Sequence, residues 1–169
     1  MSRTKFVAIV VGLIALAVVN TTVYRREELL QAGRTVLLEV VPVDPRSLMQ
    51  GDYMALQFAL VRKAFAESRN IPRQDGRVIV TLDPSLVANF KRVDDGSALA
   101  TGEIALRYRI RQGHPQFGTN GFFFQEGRGP QYAKAKYGAF RVAVDGEMIL
   151  TELRDDKLQT LGTTKALLR

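Results

Sequence analysis

Pro42-Val43-Asp44-Pro45-Arg46-Ser47-Leu48-Met49-Gln50-Gly51-Asp52-Tyr53-Met54-Ala55-Leu56-Gln57-Phe58 carries the densest structural information in this chain. Pro42 and Pro45 each lock φ, and Asp44 and Arg46 flank the second of these corners. Gly51-Asp52 reads as a turn, and the alternation over residues 53–60 reads as the strand that follows it. On such a strand Met54, Leu56, Phe58 and Leu60 share the core face, while Tyr53, Ala55, Gln57 and Ala59 share the other. Gly51 supplies a turn conformation and Asp52 bonds local amides; Asp44 closes an Asx-type turn and Arg46 pairs with a carboxylate. The alternative has Asp44, Arg46, Asp52 and Tyr53 forming a rigid polar edge that recognises a partner. Either way the special residues are spent on geometry rather than on a reactive group.

Period-two patterning continues on both sides of this segment. Residues 35–41, 77–82, 86–93, 103–111, 121–124 and 139–144 each read as strands bounded by Gly, Pro, Asp or Asn. Asp145-Gly146 predicts a two-residue type I′ hairpin turn, and Asp94-Asp95-Gly96 predicts another turn. Helical signals are confined to residues 61–69 and 130–137, the latter with Pro130 at its first position. The expectation is a mainly β, β-rich α+β protein. Its compact antiparallel sandwich or barrel-like domain covers residues 34–162 with one or two short helices, and residues 163–169 form a tail.

The N-terminal end departs from this pattern. Residues 6–19 are apolar throughout apart from Gly12, and the run extends through Asn20, Thr21 and Thr22 to Tyr24 before Arg25-Arg26. At about 1.5 Å per residue, residues 6–24 come close to the ~30 Å hydrocarbon core of a bilayer. Three readings compete: an uncleaved membrane anchor over residues 1–26, a signal peptide cut near Ala15-Leu16-Ala17, and the buried helix of a soluble protein. The length favours the anchor. Residues 27–33 continue the helix into water, with Gly33 as its C-terminal cap. Basic residues nearly balance across the span, so orientation rests on the short N-terminal tail, which favours N-in and C-out with an extracytoplasmic domain.

Composition narrows the chemistry. Of 169 residues 46% are hydrophobic, enough for a real core, and the net charge is +7. Four of those seven charges are Arg3, Lys5, Arg25 and Arg26 around the apolar span, so the remaining domain is only mildly basic and a nucleic-acid role is not expected. Without cysteine there is no disulfide, no thiolate zinc site and no cysteine nucleophile. Ser47 and Lys63 are the candidates for a Ser/Lys hydrolase, and nothing in the sequence argues for the desolvated amine it needs. His114, the one histidine, stands in a Gln-Gly-His-Pro turn as an exposed loop residue. Asp44, Asp52 and Glu126 lack calcium-loop spacing. Gly127-Arg128-Gly129 before the second helix is only a weak phosphate-binding pattern. No catalytic residue, metal or other cofactor is expected. On residues 103–111, Ile104, Leu106, Tyr108 and Ile110 take one face and Arg107, Arg109 and Arg111 the other. That stripe suits an acidic partner or lipid headgroups, or else a solvated face paired with acids next to it.

The segment Gly51-Asp52-Tyr53-Met54-Ala55-Leu56-Gln57-Phe58 resembles the bacterial family named for its Gly-Asp-Tyr-x-x-Leu-x-Tyr signature, with Phe58 where the family has its last Tyr. The similarity takes in residues 33–39, the lead-in Val41-Pro42-Val43-Asp44-Pro45-Arg46, and a second block. That block runs from Phe117-Gly118 through Phe122-Phe123 and Glu126-Gly127 to residues 133–138 and Val142. The resemblance implies a single-anchor membrane protein with an extracytoplasmic domain, found beside multi-spanning membrane proteins of unassigned role. It carries over no catalytic residue. The resulting expectation is an accessory binding domain that docks on a multi-pass membrane protein or an envelope component. Asp44, Arg46, Asp52, Tyr53, Arg107, Arg109 and Arg111 would face the partner, while Pro42, Pro45, Gly51, Leu56, Phe58, Glu126 and Gly127 shape the motif. The rival expectation is an envelope sensor with a pocket near Tyr53, Phe122 and Glu126.

Overall fold

A computed structural model of the chain describes residues 3–41, 49–50, 53–65, 72–119, 121–124 and 128–163. Helix α1 runs unbroken from Arg3–Ala32, and its most apolar 18-residue stretch has no polar side and no buried residue. This is the pattern of a helix solvated by lipid rather than by water on one side. Its polar interruptions are absorbed locally: Thr21 Oγ1 donates to the Ala17 carbonyl at 2.7 Å and Thr22 Oγ1 to that of Val18 at 2.9 Å. The helix is long and apolar enough to cross a membrane.

Eleven strands and two short helices follow among the described residues: β1 (Arg34–Glu39), β2 (Met49–Gln50), β3 (Tyr53–Ala55), α2 (Ala59–Phe65), β4 (Gly76–Leu82), β5 (Ala88–Val93), β6 (Glu103–Arg111), β7 (His114–Phe117), β8 (Gly121–Phe123), α3 (Gly129–Tyr132), β9 (Tyr137–Val142), β10 (Met148–Arg154) and β11 (Thr160–Thr163). They form three antiparallel sheets ordered β1-β9-β10-β11, β2-β3-β8 and β5-β4-β6-β7. The sheets are stitched together at their edges. Leu37 bridges Val87, Val40 bridges Phe58, and the Arg107 amide donates to the Gly146 carbonyl at 2.9 Å.

All three sheets point into one core. Val36 and Leu38, Val78 and Val80, Leu106 and Tyr108, Phe122, and Phe140 with Leu150 and Leu153 lie together there. Alternation produces this on each strand, because one side chain in two faces inward. Phe58 meets Phe140 edge-on at 5.3 Å, and Phe65 meets Tyr108 edge-on at 5.1 Å. The protein is thus β-rich, as its alternating segments predict.

Four local expectations need correction. The strand expected over 53–60 stops at Ala55; Met54, Leu56, Phe58 and Leu60 are buried as predicted, but Ala59 is buried as well because α2 begins there. The apolar face of 59–65 falls at Leu60, Ala64 and Phe65, a helical spacing that overrides the alternation before it. The type I′ turn is at Gln112-Gly113, where both residues have positive φ, and not at Asp145-Gly146. In the β9–β10 loop only Gly146 has positive φ; its amide donates to Ala143 and the Ala143 amide donates to Glu147, closing a longer loop with a left-handed glycine. His114 is exposed as expected but starts β7 rather than sitting in a turn. The strand expected over 139–144 ends at Val142, leaving Val144 at the hairpin tip.

Candidate functional site

The end of α1 is clasped by the β domain. Leu29 is buried, the Gly33 amide donates to the Leu29 carbonyl at 2.9 Å, and Arg141 Nη1 on β9 donates to the Gly33 carbonyl at 3.0 Å. Gly33 is required by this close approach. A Cβ there would run into the Leu29 carbonyl oxygen and come within 3.1 Å of Arg141 Cβ. The joint fixes the helix against the outer face of β9 and β10.

Beside that joint lies an open cleft of about 1210 Å³. One wall is α1 from Thr22 through Arg25, Arg26 and Glu28 to Ala32, continued by Gly33 and by Arg34 of β1; the other comprises the β9–β10 loop, Leu99 with the start of β6, Gly118, Thr119 and β8. Three exposed apolar side chains stand on its rim: Leu99, Phe123 and Val144, at 46%, 74% and 102% of full exposure. Arg25, Arg26 and Arg34 are exposed and make no ion pair among the described residues.

Apart from Glu28, the acids of the cleft are otherwise engaged. Glu103 is held by Lys91 at 2.9 Å, by the Ala100 amide at 3.0 Å and by Arg92 at 3.2 Å. The Lys91 ammonium first, and then that amide, bring its carboxyl down to about 2 from the usual 4.5. Glu147 binds Arg109 at 2.8 Å and Arg107 at 3.1 Å, and Asp145 lies 3.8 Å from Arg107. The guanidinium stripe on β6 is therefore real, but two of its three members face carboxylates supplied by the β9–β10 loop. Arg111 is exposed, opposite His114 in the strand register.

Other predicted positions distribute as follows. Leu56 and Phe58 are core residues. The side chain of Tyr53 and all of Pro42, Asp44, Pro45, Arg46, Ser47, Gly51, Asp52, Glu126 and Gly127 lie outside the described residues, so the polar edge, the calcium trio and the expected pocket near Tyr53 and Glu126 do too. Phe122, the described member of that pocket, lines the cleft instead. Lys63 is about half exposed and paired with Glu39 at 3.6 Å, a hydrated ion pair rather than a desolvated amine. Lys136, at 3.2 Å, and then Lys63 hold the Glu39 carboxyl below its usual value. No group of three His, Cys, Asp or Glu among the described residues is placed to hold a metal ion.

The cleft was not foreseen as a site. Arg25 and Arg26 read as topology signals, and Arg34 as the first residue of the β domain, just before the strand expected over residues 35–41. The available signal was Val144, an apolar side chain directly before the Asp145-Gly146 turn.

Searches of curated proteins and of solved structures find no match. The sequence profile of the family described as GDYXXLXY protein matches residues 15–153, which takes in the C-terminal half of α1, the clasp at Gly33 and strands β1 to β9 with nearly all of β10. The chain belongs to the GDYXXLXY family.

Proposed function

We propose that this is a single-pass membrane protein whose β domain, on the extracytoplasmic side of a bacterial inner membrane, acts by binding: it docks on a multi-pass membrane protein. The observation that carries this reading is the clasp at Leu29, Gly33 and Arg141. A domain on a floppy tether samples every orientation, whereas one locked to its own anchor presents one fixed face beside the bilayer. That suits recognition of another membrane protein, whose exposed loops occupy the same thin layer. The surface of α1, apolar on every side, offers a second contact through helix packing within the bilayer. The sequence places Asp44, Arg46 and Asp52 close to Pro42 and Pro45, and these charged residues are assigned to the aqueous part of the contact.

Purification of the tagged full chain in mild detergent tests this. A multi-pass protein is expected to co-purify in a fixed ratio, and Arg46→Ala with Asp52→Ala is expected to weaken its retention. Retention at the wild-type level by a folded double variant removes the corner from the interface. Absence of any membrane protein in the eluate sinks the docking reading itself. Topology is checked separately: protease added to spheroplasts is expected to digest the β domain, and survival until lysis would reverse the orientation.

A further inference from the structure

The cleft beside α1 combines three properties with a shared explanation. Its position is continuous with the apolar helix: Thr22 belongs to the membrane-length stretch, and Arg25 and Arg26 close it, yet all three line the cleft. With residues 6–24 in the hydrocarbon, these side chains stand at headgroup depth. Its charge is unbalanced. Glu103, Asp145 and Glu147 are taken by Lys91, Arg92, Arg107 and Arg109, so Arg25, Arg26 and Arg34 face only Glu28 among the lining carboxylates that lack an ion pair. Its rim is apolar, and Leu99, Phe123 and Val144 come from three separate segments to surround the same opening. Arginines at phosphate depth with apolar tips beside them form the pattern of a surface resting in the headgroup layer.

We propose that this cleft binds the headgroup of an anionic phospholipid taken from the leaflet into which the C-terminal end of α1 opens, with Arg25, Arg26 and Arg34 on the phosphate and Leu99, Phe123 and Val144 against the upper acyl chains. The proposal rests on α1 spanning the membrane, but not on the docking partner. Guanidinium groups suit a phosphodiester because their planar fork donates two parallel hydrogen bonds. The cleft volume of about 1210 Å³ is generous for a headgroup alone and leaves room for the first carbons of its chains. An acidic protein loop would also satisfy the arginines. It would leave the exposed apolar side chains of Leu99 and Val144 against polar groups, and the lipid that surrounds α1 is already in place.

The test uses the full chain in a neutral detergent, titrated with short-chain phosphatidylglycerol, phosphatidylcholine of the same chain length, and inorganic phosphate. Native mass spectrometry reads the bound lipid, and the thermal midpoint reads the stabilisation. Saturable binding of about one phosphatidylglycerol is expected, weakened about tenfold or more by the combined Arg25→Gln, Arg26→Gln and Arg34→Gln variant. A charge-matched control, Arg62→Gln with Arg73→Gln and Lys157→Gln, is expected to bind as wild type. Because Arg34 opens β1, Val144→Asp serves as a second variant: its side chain is fully exposed, the fold does not depend on it, and it too is expected to lose affinity. Equal binding of phosphatidylcholine, full competition by inorganic phosphate, or an equal loss in the control overturns the proposal. Carbonate extraction separates the two layers of inference. A chain stripped from the membrane ends the anchor reading, whereas one that stays and shows no lipid preference ends only the headgroup site.

Discussion

Arg107 and Arg109 on β6 and the trio Arg25, Arg26 and Arg34 at the end of α1 lie in one neighbourhood, Arg109 even lining the same cleft, yet they are placed under opposite conditions. The β6 pair is answered by Glu147 and Asp145 at 2.8–3.8 Å. The trio makes no ion pair among the described residues. A row of arginines on a strand looks like a site in sequence, and two arginines after an apolar run look like a topology signal; counting carboxylates reverses the ranking. Of these two groups, the trio is the one that keeps its guanidinium capacity for a ligand.

The largest effect that would disturb this comparison comes from beneath β6. Leu106 is fully buried between Arg107 and Ala105, and Leu106→Ala is expected to cost about 2–5 kcal/mol in denaturant unfolding, since it removes core contacts and leaves a cavity. The paired arginines ride on that strand and should lose their geometry with it. The trio on α1 and at the first residue of β1 should be less affected. Gly33→Val acts on the other region. The added atoms meet the Leu29 carbonyl and Arg141, so the joint must open at about 1–3 kcal/mol, and phosphatidylglycerol binding should fall because the two walls of the cleft separate. Unaltered lipid binding in a destabilised Gly33→Val protein would place the site on α1 alone.

The next effect is confined to acid. Glu103 titrates at about 2 in the folded protein against a usual 4.5, chiefly through Lys91. A depressed carboxyl stabilises the fold above its unfolded value and loses that contribution as pH falls from about 4.5 toward 2. Glu103→Gln is expected to flatten the pH dependence of the thermal midpoint across that window and to leave it unchanged in shape above it. A curve with the wild-type slope in acid would show that the Lys91 contact does not persist in solution.

Patterns that complete themselves within a few residues were legible in the sequence; those assembled from distant segments were not. β6 was read with its bounds and both faces, because one strand shows its period directly. Residues 61–69 read as a helix, but Ala59 and Leu60 read as the end of the strand before it, since an apolar pair after an alternating run fits either period until Leu60, Ala64 and Phe65 are seen to share a face. β7 escaped notice because Pro115 argues against a strand, and its place at the sheet edge is what makes a proline tolerable there. The glycine of Asp145-Gly146 marked a positive φ correctly but did not say how many residues the loop used. The cleft draws on residues near 22–34, 99–105, 118–119, 121–123 and 142–150, and no local pattern contains it.

The smallest expected stability effect is the most informative about the arginines. Glu147 is 40% exposed and answers both Arg107 and Arg109, so Glu147→Gln should cost less than about 1 kcal/mol, because water and salt already screen the pairs. Electrostatically the change is larger than its energy suggests. It removes a negative charge from the cleft wall and leaves Arg107 with the distant Asp145 alone and Arg109 without a carboxylate, so the two regions become alike. If compensation is what silences the β6 arginines, Glu147→Gln should bind short-chain phosphatidylglycerol more tightly than wild type while melting at nearly the same temperature. A variant that melts normally and binds no better would mean that the trio is distinguished by its depth along α1 rather than by its lack of partners.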